Sequence, residues 1–198
     1  PNKHNFNLTL FQNNFKDKIE STDFSANVPS EWSGFVDPAN PPKQKQNVGK
    51  AEILGLEAAG KFFILDNLSI KANWTWLDSE IKSDDSKQDG KPLRSSPKHM
   101  YNATVDYQPI AKLNAYIQYS GEIDRFNTRY QKNGSNQDLF YKDYSIWNLG
   151  ATYKVDKNLT FNARVNNLFD KDFMEYSAVD RVGTTNYYDE YNNKPAGR

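Results

Sequence analysis

The chain has no cysteine, which excludes a disulfide framework and cysteine-ligated metal sites. Histidine is nearly absent too: His4 and His99 lie far apart with no ligand-spaced partner, which argues against a zinc centre. Neither sign of charge is in excess, with 25 basic against 25 acidic side chains, so bulk attraction to nucleic acid is not expected. No apolar run approaches the roughly 20 residues that a membrane-spanning helix needs. The opening PNKHNFNLTL has no initiator methionine and no signal-peptide pattern, so the chain is expected to be processed or cut from something larger. A nucleophile elbow, a phosphate-binding glycine loop and a Cys–His pair are missing as well, and no catalytic residue is expected.

What is present is unusual in combination. Aromatic residues make up 14% of the chain, yet only 37% of residues are apolar and the mean hydropathy is −0.88. Many aromatics with few aliphatics make a poor close-packed core. The same mixture suits a barrel wall, in which a thin apolar band lies between aromatic girdles and the remainder is wet.

Period-two alternation dominates the pattern. In DNLSIKANWTWLDSEIK, Leu68, Ile70, Ala72, Trp74 and Trp76 share one face and Ser69, Lys71, Asn73 and Thr75 the other. Either the tryptophan face is the core of a soluble sandwich, or it meets lipid and the Lys/Asn/Thr face lines a watery interior. Seven strands are expected, over about 5–21, 47–62, 66–82, 99–108, 113–129, 146–153 and 159–166. In the first, parity slips near Phe11, which suggests a bulge or a change of surroundings. Hairpin-length links at about 65–67, 109–112 and 155–158 alternate with long connections at about 22–46, 83–96, 130–142 and 174–198. Soluble domains keep connections short at both ends, whereas short turns on one rim and long loops on the other mark an outer-membrane wall.

Several motifs have simpler explanations. The pattern N-x-[ST] recurs at Asn7, Asn67, Asn73, Asn102, Asn133 and Asn158, but alternation alone produces it on a polar strand face. DDSKQDG lacks the rhythm of a calcium loop and reads as a solvated acidic segment. A set of cations and aromatics falls in the long connections or beside them: Trp32, Arg94, Arg125, Arg129, Tyr130, Tyr141, Arg181, Tyr187, Tyr188 and Tyr191. These read either as solvated loop cations with an outer aromatic girdle, or as a site for an anionic, aromatic-rich ligand.

The segment VNNLFDKDF, Val165 to Phe173, resembles the C-terminal end of TonB-dependent outer-membrane receptors. FQNNFKDKIE, NVGKAEILGLE, GKPLRSSPKHMYNATVDYQP and YNNKPAGR are similar to other pieces of the same family, in the same order, so the resemblance covers nearly the whole chain. In detail it is nearest the ferric catecholate siderophore receptors, such as those for enterobactin, and the colicin I receptor. The resemblance implies an all-β fold, an antiparallel up-and-down transmembrane barrel segment with short periplasmic turns and long extracellular loops. It would be about seven strands of a 22-stranded barrel. Residues 1–198 would be a C-terminal part of the barrel, without the plug domain that carries the TonB box and without the final strand.

The implied function is binding and import of a ferric siderophore, energised through TonB by way of the plug. Iron would be carried by the siderophore, with no protein cofactor or metal site. Other implied partners are outer-membrane lipid and colicin or phage, and no nucleic acid. Arg94, Arg125, Arg129, Tyr130 and Arg181 are the expected ligand contacts, chosen because guanidinium groups offset the charge of a ferric catecholate. The competing readings are a porin or receptor for a non-iron ligand such as cobalamin or a glycan, and a soluble carbohydrate-binding β-sandwich. The sandwich requires the Trp74 face to be dry.

Overall fold

The computed structural model describes residues 3–17, 19–23, 31, 34, 43–47, 49–83, 88–132, 135–173, 176–182 and 185–191. Twelve strands are found among them: β1 Asn5–Phe15, β2 Ile19–Asp23, β3 Lys43–Asn47, β4 Lys50–Leu65, β5 Leu68–Lys82, β6 Pro97–Ile110, β7 Leu113–Lys132, β8 Ser135–Phe140, β9 Tyr144–Lys154, β10 Thr160–Val165, β11 Tyr176–Val182 and β12 Thr185–Tyr191. The main sheet runs β1-β4-β5-β6-β7-β9-β10, with β8 pairing to β7; β2–β3 and β11–β12 form separate hairpins. Every pairing is antiparallel, and each wall strand pairs with the next wall strand along the chain (β1 with β4 and β7 with β9 across the intervening loop hairpins), the up-and-down order expected from the alternating links. The sheet is open, a partial barrel.

Register converts the sequence alternation into two faces. One row runs Phe6, Gly60, Ala72, Ala103, Tyr119, Trp147 across six strands. A parallel row runs Phe62, Ile70, Val105, Ile117, Leu149, Val165. Between them lies a polar row, Asn5, Lys61, Lys71, Thr104, Gln118, Asn148, whose side chains point the other way. Among the described residues, every extensive strand contact is a lateral pairing of hydrogen-bonded neighbours, so no second layer covers the apolar face. Leu10 is 71% exposed and Trp74 37% exposed. The sandwich reading fails on this point, because its tryptophan face has to be buried.

Rings on the apolar face touch across strands. Trp74 stacks on His99 at 5.8 Å, Tyr101 meets Tyr119 at 5.4 Å, and Tyr119 meets Trp147 at 4.6 Å. Trp76 stands eight residues above Leu68, about 26 Å along the strand and about 20 Å in height at the usual tilt, near the top of an apolar band roughly 25 Å tall.

The polar face is held by its own bonds. Lys71 Nζ lies 3.6 Å from Asp106 Oδ2, Asn148 Nδ2 donates to Gln118 Oε1 at 3.2 Å, and Thr152 Oγ1 donates to Asn162 Oδ1 at 2.8 Å. Two glycines admit aromatic rings there. A Cβ on Gly55 would lie 2.1 Å from Phe11 Cζ, and one on Gly150 would lie 2.4 Å from the Tyr116 ring. The parity slip at Phe11 is therefore no bulge: the register passes through Phe11–Gly55 unbroken, and the ring turns to the polar face because glycine leaves room for it.

Two of the three short links are tight turns, at Asp66-Asn67 and Ala111-Lys112. In the third, Asp156 Oδ1 accepts from the amides of Asn158 and Leu159. The long connections differ from a plain loop reading. Three of them contain paired strands, β2–β3, β8 and β11–β12, so much of the long-loop rim is hairpin.

Candidate ligand-binding site at the long-loop rim

The tightest packing in the described chain is at the long-loop end, not in the wall. Its buried apolar side chains are Ala51, Ile81, Phe126 and Tyr141. Residues 88–96 run between the upper ends of β5 and β7 and bond to both. On one side the Gly90 amide donates to Ile81 O at 2.9 Å and the Ile81 amide to Lys91 O at 2.9 Å. On the other, the Ser95 amide donates to Phe126 O at 2.8 Å and the Phe126 amide to Ser96 O at 3.3 Å. Leu93 N adds a bond to Ser79 Oγ at 3.1 Å. A connection that would be orphaned backbone is thus satisfied as an extra strip of sheet.

This strip brings Arg94, Arg125 and Arg129 to one rim. Arg94 is exposed in the turn before β6. Strict alternation would put Arg125 on the Ile123 face, but Asp124 is left-handed at φ 54° and breaks it. Arg125 meets instead the opposite face, with Nη1 3.5 Å from Glu122 Oε2 and its guanidinium 4.3 Å from the Tyr141 ring centre and 5.9 Å from that of Tyr144. Asp143 Oδ1 accepts the Asp124 amide at 2.9 Å, which fixes the break. Tyr144 in turn stacks on Phe173 at 4.5 Å. The result is a cation held among rings beside the Glu122 carboxylate, an arrangement that suits an anionic or aromatic group.

Arg129 is committed differently. Its Nε and Nη2 grip Asp138 Oδ1 and Oδ2 at 2.6 and 3.1 Å, while Nη1 and Nη2 donate to the carbonyls of Asp89 and Gly90 at 2.9 and 3.1 Å. The hydrogen bond to Asp138 raises its already high pKa. Tyr130 lies opposite Gln137 in the same hairpin. Arg181 is in β11 opposite Asn186, and Tyr187, Tyr188 and Tyr191 are in β12; among the described residues that hairpin has no lateral pairing with the wall. Trp32 is outside the described residues. Glu122, Asp138 and Phe173 are rim residues that the sequence reading did not single out.

The NLFDK segment is a built turn. Asn167 and Asp170 are both left-handed, at φ 49° and 50°. Asn167 Oδ1 accepts the Lys171 amide at 2.9 Å and its Nδ2 donates to Lys171 O at 3.0 Å. Its own amide donates to buried Asn148 Oδ1 at 2.9 Å, and the Leu168 amide to Trp147 O at 2.7 Å, so the turn stays fastened to β9. Phe169 meets Trp147 edge-on at 6.3 Å.

With wall, rim and turn in view, the chain matches the family of TonB dependent receptor-like β-barrels over residues 1–168. The chain belongs to that family. The ferric enterobactin receptor of Pseudomonas aeruginosa is 34% identical over 170 residues, covering 83% of this chain and 22% of the receptor. The iron-regulated outer membrane virulence protein of Vibrio cholerae is 31% identical over 181 residues, covering 87% of this chain and 26% of that protein. A solved ferric enterobactin receptor, PfeA, superposes with a TM-score of 0.66 at 26% identity, covering 94% of this chain and 28% of that one. The chain spans about a quarter of the length of the curated relatives it matches.

Family membership settles the two faces. The wall is that of an outer-membrane β-barrel, so the apolar rows face lipid and the polar rows face the interior. The short turns are periplasmic and the built rim is extracellular. The family consists of receptors and transporters, not enzymes.

Proposed function

We propose that this chain supplies wall and outer rim to an outer-membrane receptor that binds and imports a ferric siderophore. The observation that carries the reading is the Arg125 guanidinium held 4.3 Å over Tyr141 at the extracellular rim. Cation and rings together suit a ligand that is both anionic and aromatic, as a ferric catecholate is. The names of the relatives, which include ferric enterobactin receptors, support the same substrate class. Iron is the cargo and travels chelated by its ligand. Energy reaches the site through TonB by way of a plug domain, and colicin or phage docking would use the same rim. Arg94, Tyr130 and Arg181 belong to the proposed contact set with Arg125, and Arg129 supports it.

The test is binding of ferric enterobactin to the intact receptor, with single alanine variants of Arg94, Arg125, Arg129, Tyr130 and Arg181. Arg125→Ala is expected to weaken binding on the order of tenfold or more, since it removes a mostly desolvated cation. Unchanged affinity in all five variants would remove the site assignment. Binding of cobalamin or a glycan in place of ferric catecholates would overturn the substrate class.

A further inference from the structure

Arg129 holds together two parts of the rim that are distant in sequence. Its bonds to Asp138 cross the β7–β8 hairpin, and those to Asp89 and Gly90 span 40 and 39 residues of chain. Four of the five N–H donors of a guanidinium are used in this way, and the side chain is only 14% exposed. The two acceptor carbonyls sit in a turn that is also tied to the upper end of β5 and the residue after it. Asp89 Oδ1 accepts the Ser83 amide at 3.0 Å, and the Gly90 amide donates to Ile81 O. The far side of the same connection is bonded to Phe126, three residues before Arg129.

We infer that Arg129 is a positioning residue, a latch that locks residues 88–91 onto the β7–β8 hairpin so that the second and third long connections present one pre-organised surface. A ligand group reaching Arg129 directly would have to displace Asp138 or the two carbonyls. Its effect on recognition therefore runs through the segment it holds, whose ordering is completed before binding and is not charged against affinity. Lysine cannot replace it: an ammonium can sit beside Asp138 as a point charge but lacks the planar fork that reaches both carbonyls. The latch does not depend on which ligand the receptor takes.

Amide hydrogen exchange on the ligand-free receptor in bilayers tests it. In Arg129→Ala, the amides of Ser83, Gly90 and Leu93 are expected to exchange about tenfold faster or more, because charge-assisted bonds that oppose local opening are gone. Wall amides of Ala103 and Tyr119 are expected to stay as slow as before. Arg129→Lys should not restore protection at Gly90, whereas a merely electrostatic role would. Unchanged exchange at Gly90 and Leu93 in Arg129→Ala overturns the latch, and so does acceleration spread evenly over the wall. Dissociation of ferric enterobactin as probe should be faster from Arg129→Ala with little change in association rate. If the unaltered receptor fails to bind that probe, the siderophore reading falls while the exchange result still decides the latch.

Discussion

Wall and rim are made by one chain under opposite rules. In the wall, large apolar side chains stand exposed on one face, and cohesion comes from the backbone ladder and cross-strand rings. At the rim, Ile81 and Phe126 are fully buried and loop backbone is satisfied bond by bond. The difference follows from the surroundings. A wall in lipid needs no core, because hydrocarbon covers its apolar face and only backbone groups demand partners. A rim in water must bury its own apolar groups and anchor its own polar ones.

Substitutions can break this contrast. The largest effect is expected at the rim, where Phe126→Ala should cost about 3–5 kcal/mol of local stability, read as loss of exchange protection at Ser95 and Tyr141. Next is a pair on adjacent residues of β5. Ala72→Arg puts a charge on the lipid face near mid-height and should cost about 2–4 kcal/mol in unfolding titrations from bilayers, whereas Asn73→Arg, on the interior face, should stay within about 1 kcal/mol. Equal costs for the two would erase the distinction between the faces. Gly150→Ala should destabilise by about 1–3 kcal/mol through overpacking against Tyr116, and most of that should vanish when Tyr116→Ala is added, a coupling a double-mutant cycle detects. The smallest effect is at Asn167→Ala, about 1 kcal/mol from the lost brace on Lys171, seen as a faster-exchanging Lys171 amide.

The wall was legible because period-two alternation states its two faces directly, and the seven expected strands correspond to β1, β4, β5, β6, β7, β9 and β10, except that the first, expected over about 5–21, ends at Phe15 and its last residues belong to β2. At Phe11 the bulge reading fails and the change of surroundings remains, because alternation carries no information about a glycine on the neighbouring strand. The rim was less legible. Arg125 reaches its rings only because Asp124 adopts a left-handed backbone, which no pattern announces. The partnership of Arg129 with Asp138 did have a signal: Asn133-Gly134 is a strong hairpin dipeptide, and folding the chain about it sets those two residues opposite one another. Reading 130–142 as one loop hid β8 and its ion pair. The tie to Asp89 and Gly90 spans about forty residues and belongs to tertiary structure alone.

The central claim is that the face bearing Trp74 meets lipid. A receptor variant with Trp32, Trp76 and Trp147 replaced by phenylalanine, along with any tryptophan outside this chain, leaves Trp74 as the reporter. In bilayers, brominated lipid is expected to quench its fluorescence strongly and aqueous acrylamide hardly at all. Free quenching by acrylamide with no response to brominated lipid would place the indole in water, and insensitivity to both would place it in a dry protein core; either result contradicts the account.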